Sequence, residues 1–173
     1  MCIIIDTNSF NCVFNSSSMN HKEFKPILDW VIKGNGNIVY GGTKYFNELK
    51  NSLKYLKIFI ELKKIKKVIK VDDKSVDDLS RKILSDCNEK KLNDEHIIAI
   101  VILSKCRIVC TQDKSSFPFL KNKKFYQNGV KRPSLYTSSK NSNLLIDSNI
   151  VEFCKPCVKL KKEISENFYV ALN

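Results

Sequence analysis

Three short aliphatic runs constrain this chain more than any other feature: CIII at 2–5, NIVY at 37–40 and RIVC at 107–110. Each is far too short for a buried helix and is apolar almost without interruption, rather than at every second position. That is the signature of a strand covered on both faces in a parallel sheet. Between the runs the spacing turns helical. Phe24, Ile27, Leu28, Val31 and Ile32 recur at three and four residues and stop at Gly34, which predicts an amphipathic helix with a glycine end. After NIVY, GGT leads into a helix starting near Thr43, a candidate N-cap, with Glu48 in its second turn. Tyr55, Ile58, Leu62, Ile65 and Ile69 form a stripe opposite Lys50, Lys54, Lys57 and Lys64, with the chain turning extended at KVIKV. Val76, Leu79, Ile83 and Cys87 mark another helix. Asn93 is placed to cap DEHIIAIVILSKC, whose apolar residues occupy nearly every side, so this helix must be buried. Strands alternating with helices in this way predict a three-layer α/β/α sandwich with a mostly parallel central sheet.

The 173 residues fit one domain, 1–173. The stretch from about residue 121 onward is harder to assign. KNKKFYQNGVKRPSLYTSSKNSN is polar, basic and punctuated by Gly129 and Pro133, which predicts a loop-rich insert in which SLYTSS is a candidate strand. Ile150, Phe153, Cys157, Leu160 and Ile164 repeat helically despite Pro156.

Thirty Lys and Arg against 18 Asp and Glu give a net charge of +12, which favours a polyanionic partner because basic side chains release counterions from phosphates. Solvated lysines are the plain alternative, since only Arg81, Arg107 and Arg132 are arginines. Phe117 and Phe119 among the lysines of FPFLKNKKFYQ could stack on a single strand or pack in the core. The seven cysteines are odd in number and several lie in apolar runs, so they are expected as reduced, buried thiols of a cytoplasmic protein. CKPC at 154–157 lacks the second close pair that a closed zinc site needs. No signal peptide precedes CIII, and the longest apolar run, 97–103, is too short to cross a bilayer, so a membrane partner is not expected.

In an open parallel sheet, ligands bind beyond the carboxyl ends of the strands. Asp6 directly follows the first run and Asp113 the third, while Glu48 lies on the helix entered after NIVY and Asp94 at the start of the buried helix. Taken singly they could be a turn former, an exposed helical acid, a first-turn dipole partner and a cap. Four such placements at one edge point instead to a shared site. Carboxylates crowded together raise one another's pKa, and a hard divalent cation, Mg²⁺ or Mn²⁺, resolves the conflict. His96 is expected at the helix edge or in the core rather than as a general base.

IIIDTN, TKYFNEL, NDEHIIAIVI and IVCTQDKSSF, in this order over residues 1 to 120, resemble the four acidic motifs of the PIN domain family. The resemblance implies a metal-dependent endoribonuclease in the manner of VapC-type toxins. Asp6, Glu48, Asp94 and Asp113 would hold Mg²⁺ or Mn²⁺, with Thr7, Asn8 and Thr111 in support. Lys44, Lys114, Lys131 and Arg132 are the candidate contacts to the substrate backbone. After the last motif the chain has Lys114, Ser115 and Ser116 where such toxins often carry a further acid. The implied partners are single-stranded RNA, a neutralising antitoxin protein and a second copy of the chain. A catalytically silent PIN-like module that binds RNA or protein is the alternative. Haloacid dehalogenase-like phosphatases need an acid where Asn8 stands, and a receiver domain needs a phospho-acceptor aspartate that NIVYGG does not offer.

Overall fold

In a computed structural model describing residues 2–87, 92–127, 129–149 and 151–172, the short runs do form strands. These are β1 (Cys2–Ile5), β2 (Asn37–Tyr40), β3 (Val68–Lys70), β4 (Ile108–Cys110) and β5 (Ser134–Tyr136). They pair in the order β3-β2-β1-β4-β5, parallel throughout. Cys2 stands beside Asn37, Ile5 beside Cys110, and Ile108 beside Ser134. Every residue of β1, β2 and β4 is buried, as uninterrupted apolar strands require.

The connections are helical: α1 (Phe10–Phe14), α2 (His21–Lys33), α3 (Thr43–Lys50), α4 (Leu53–Lys64), α5 (Asp73–Asp86), α6 (Glu95–Ser104) and α7 (Phe117–Leu120), with α8 (Lys162–Leu172) at the end of the chain. Steps from β1 to β2 to β3 run one way and the step to β4 and β5 runs the other. Right-handed crossovers therefore put helices on both faces of the sheet, giving the three-layer α/β/α sandwich. α1 packs on α2 and α4, and α5 on α6. α6 lies against β1 and β2 and buries all but its Ile102 and Leu103 side chains, which are half-buried. The turn from β2 into α3 depends on Gly42 at φ 84°, where a Cβ would come within 2.5 Å of Val76 Cγ1. Among the described residues, no helix is long and apolar enough to cross a membrane.

Several local expectations change. Thr43 is the first residue of α3 rather than its cap; its amide donates to Asp77 Oδ1 at 2.8 Å. Asp94, not Asn93, occupies the N-cap position of α6. SLYTSS, the candidate strand within the loop-rich stretch, does supply the edge strand β5. Phe119 is buried and Phe117 is half-buried against the core, so of the two open readings the packing one holds; Tyr126 is buried as well, and its hydroxyl donates to the Leu120 carbonyl at 2.9 Å. The helical repeat through Pro156 does not form a helix. A 3-10 turn (Glu152–Cys154) and extended chain lead to α8, because Pro156 cannot continue a helix; Ile150 lies outside the described residues. Finally, not all cysteines are thiols. Cys2 and Cys154 form a disulfide across 152 residues of sequence, because the turn before Lys155 is brought to the start of β1, with the Cα atoms 6.2 Å apart.

Candidate active site at the switch of the sheet

From β1 the chain moves to β2 on one side, while β4 pairs on the other, so the switch point of the sheet, the place where open parallel sheets bind ligands, lies beyond the carboxyl ends of β1 and β4. Asp6 and Asp113 leave these two strands. Asp6 is only 4% exposed. Its backbone amide donates to the Cys110 carbonyl at 2.9 Å, fastening the two strand ends. Its carboxylate accepts from the Asn8 amide at 3.1 Å and from the buried Thr111 hydroxyl at 2.7 Å. Asn8 thus supports Asp6 through its backbone, while its side chain is exposed. Burial raises the Asp6 pKa, and Glu48 adds to the rise against the pull of Thr111 and Asn8.

α3 carries Glu48 to the same place, where it accepts from the Thr7 hydroxyl at 2.8 Å. His96 on α6 faces it, with Nε2 3.5 Å from Glu48 Oε2. Burial opposes ionisation of Glu48, but His96, Thr7 and Lys44 outweigh it and hold the carboxyl below its usual range. Three residues before Glu48, Tyr45 is buried and donates to the Ile5 carbonyl at 2.7 Å, which anchors α3 to the end of β1.

Asp94 makes no capping hydrogen bond with its side chain. Burial, then Asp6 and Asp113, drive its pKa up to about 6, against the opposing pull of His96 and Lys44. Asp113 turns back on itself: Oδ1 accepts from the Ser115 amide at 2.8 Å and the Ser115 hydroxyl at 2.6 Å. Its own amide donates to Thr111 Oγ1 at 3.1 Å, so Thr111 links both strand-exit acids. Asp94 is thus coupled to both Asp6 and Asp113, and Asp6 to Glu48.

The candidate cations divide. Lys114 is exposed directly after Asp113. Lys44 is held internally, with Nζ donating to buried Glu95 Oε1 at 2.9 Å, to Asn93 Oδ1 at 2.9 Å and to the Asn93 carbonyl. Lys131 and Arg132 are not part of this site. They precede β5, which in an all-parallel sheet puts them at the amino edge, opposite the acids.

His96 is the residue that sequence reasoning underrated. It is 2% exposed, and among the described residues its two ring nitrogens are the buried side-chain polar atoms without a hydrogen-bond partner. The available signal was its position on the first turn of an all-apolar helix, two residues after an acid, where a polar side chain must be buried beside whatever that acid serves.

The donor set suits a hard cation, being carboxylate and hydroxyl oxygens around an Asp94 whose pKa is raised by burial and, after it, by Asp6 and Asp113. The geometry is not a closed cage. Among the described residues, no three Asp, Glu, His or Cys side chains stand ready around one ion position. The reason is visible in the bonds: Asp6, Glu48 and Asp113 are each tied to a different neighbour. A carboxylate offers about four lone-pair sites, so these ties leave capacity for a further ligand. Comparison with known proteins gives no matching family model, no similar curated protein and no similar solved structure.

Proposed function

We propose that this chain is a metal-dependent endoribonuclease of the PIN kind, cleaving single-stranded RNA at the carboxyl ends of β1 and β4. The observation that carries this reading is the meeting of Asp6, Glu48, Asp94 and Asp113 from four separate segments at one strand-exit edge, where burial and then the charges of Asp6 and Asp113 push Asp94 up to about 6. Four acids of this kind have no use for one another without a cation. In this reading Asp6 and Asp94 hold Mg²⁺ or Mn²⁺, with Glu48 and Asp113 completing the set directly or through water. The ion would neutralise charge on the scissile phosphate and lower the pKa of a bound water.

The chain's own groups have defined parts. Thr111 fixes the Asp6 carboxylate through its 2.7 Å bond, and Thr7 fixes Glu48. His96 lies behind Glu48, away from solvent, and serves to hold that carboxylate rather than to meet RNA. Lys114, exposed beside Asp113, meets the phosphate backbone. An antitoxin protein that covers the acidic edge and a homodimer partner belong to the same reading.

One observation favours the alternative, a silent PIN-like module that binds RNA or protein: no ready-made ligand cluster stands among the described residues. Two measurements separate the readings. Wild-type protein incubated with total RNA in Mg²⁺ or Mn²⁺ is expected to yield 5′-phosphate and 3′-hydroxyl ends, and Asp6→Asn none. Mn²⁺ is expected to raise the melting temperature of the wild type by mass action and leave Asp6→Asn unmoved. Intact RNA together with an unmoved wild-type melting temperature selects the silent module.

A further inference from the structure

The amino edge of the sheet, opposite the acids, holds a second cluster of reactive groups. Cys2 at the start of β1 is bonded to Cys154, the first residue of CKPC. Cys157, the last residue of that motif, folds back so that its thiol donates to the Cys154 carbonyl at 2.9 Å. Asn37 Nδ2 donates to the same sulfur at 3.4 Å, and Asn37 stands beside Cys2 in the sheet. The Cys157 sulfur is thus held from two sides, by the backbone of one disulfide cysteine and by the sheet neighbour of the other.

We propose that Cys2, Cys154 and Cys157 form a thiol–disulfide exchange site in which Cys157 opens the Cys2–Cys154 bond. The Cys157 thiol gives its proton to solvent and the thiolate attacks Cys154 Sγ. The Cys154–Cys157 bond forms, the Cys2–Cys154 bond breaks, and Cys2 leaves as a thiolate that takes up a proton. One disulfide exists before and after, so no oxidant or reductant is consumed.

The surroundings fit this chemistry. Lys67 is 1% exposed, and its ammonium lies within Coulomb reach of the Cys157 sulfur. Cys157 is half-buried and reachable, whereas Cys106, the other thiol close to Cys2, is fully buried and its pKa is pushed up to about 12 by that burial. Cys106 therefore stays a protonated spectator.

The exchange has a mechanical consequence. A crosslink spanning 152 residues is replaced by one spanning three, which closes almost no chain and constrains the unfolded state far less. It also releases the segment leading to α8 from β1, the strand whose other end is Asp6. This inference stands independently of the nuclease reading.

The test uses the full chain, oxidised in a glutathione buffer, quenched with acid, alkylated and mapped by mass spectrometry. Wild type is expected to contain both Cys2–Cys154 and Cys154–Cys157 pairings at an unchanged total of free thiols. Cys157→Ser is expected to contain Cys2–Cys154 alone and to melt higher than the wild-type mixture, by roughly 5 °C. N-ethylmaleimide added to the native protein should label Cys157 and freeze the ratio of pairings. Recovery of Cys2–Cys154 alone from wild type whose Cys157 accepts N-ethylmaleimide overturns the proposal. So does the absence of any Cys154 disulfide under oxidising buffer, or a bound zinc ion that protects the same thiols.

Discussion

At the amino edge of the sheet, Lys67 is buried, yet its Nζ donates to three backbone carbonyls: Gly34 and Gly36 at 3.1 Å and Val158 at 2.9 Å. The Cys106 thiol there donates to the Cys2 carbonyl at 3.2 Å. At the carboxyl edge, Asp94 is half-buried without a side-chain capping bond, burial pushes its pKa up to about 6, and among the described residues neither nitrogen of buried His96 has a hydrogen-bond partner. The same sheet thus ends in two different ways. A buried ammonium whose three N–H donors are all used is a structural clamp, joining the entry to β2, the entry to β3 and the C-terminal segment. Buried carboxylates whose pKa values are pushed up carry an electrostatic cost that a cation would relieve, and such groups cluster at functional sites more than at structural ones.

The largest effect expected from this contrast is chemical. Asp6→Asn keeps the bond from Thr111 but removes the central charge, and RNA cleavage in Mg²⁺ should fall on the order of 10³-fold or more, about 4 kcal/mol at the transition state. Gel analysis of total RNA reads the loss. If Asp6→Asn cleaves as well as wild type, the carboxyl edge is no more functional than the amino edge.

Next comes Lys67→Met, which removes the clamp without touching the acids. Three carbonyls lose their donor, that of Gly36 in a buried setting, and at about 1 kcal/mol each, less the relief of an ammonium no longer desolvated, the loss should be about 2 kcal/mol in urea unfolding. The shift in melting temperature caused by Mn²⁺ should stay as in wild type. A variant that keeps its stability but loses the metal response would reverse the roles assigned to the two edges.

How far the two edges could be foreseen differs for a physical reason. The strands at 2–5, 37–40 and 107–110 announce themselves by uninterrupted apolar residues, and an acid directly after such a run has only one place to go, the carboxyl edge. The strand-end places of Asp6 and Asp113 were therefore legible. The amino edge was not. Lys67 lies in KVIKV, where a lysine reads as solvent-facing, and nothing local announces that Gly34, Gly36 and Val158 will surround it. The Cys2–Cys154 pairing spans nearly the whole chain, and connectivity of that kind is not encoded in spacing. β5 is three residues at the sheet edge within a polar stretch, so Lys131 and Arg132 looked like a free basic loop near the acids. Only the parallel direction of β5 sends them to the opposite side.

Asp94→Asn gives a smaller effect whose sign is diagnostic. The Asp94 pKa is raised from 3.8 to about 6 in the folded protein, chiefly by burial and then by Asp6 and Asp113. Between those values the folded state binds the proton that the unfolded state has released, so stability falls as pH rises from about 4 to 6 and stays low above it. Without metal, the neutral Asn should therefore stabilise the protein at pH 7.5, by about 1 kcal/mol after allowance for partial exposure, and make no difference near pH 3.5. Chemical denaturation in chelator at the two pH values measures this. A destabilised Asp94→Asn at pH 7.5 would mean that the Asp94 carboxylate is not held at an electrostatic cost, and the contrast between the edges would lose its basis.

The smallest expected effect separates the edges by their cations alone. Lys114 is exposed beside Asp113, while Arg132 is exposed before β5 at the far side of the sheet. If RNA lies along the carboxyl edge, Lys114→Ala removes one phosphate contact, weakens binding a few-fold and lowers the slope of log affinity against log salt by roughly one. Arg132→Ala keeps the same net charge as Lys114→Ala, so long-range attraction falls equally in both, but it removes no contact and should leave the slope unchanged. Measured side by side with a catalytically dead Asp6→Asn background and a single-stranded oligonucleotide, equal slopes for the two variants would mean that RNA is held by overall charge. A change confined to Arg132→Ala would move the RNA to the amino edge, where Lys67 and the disulfide lie.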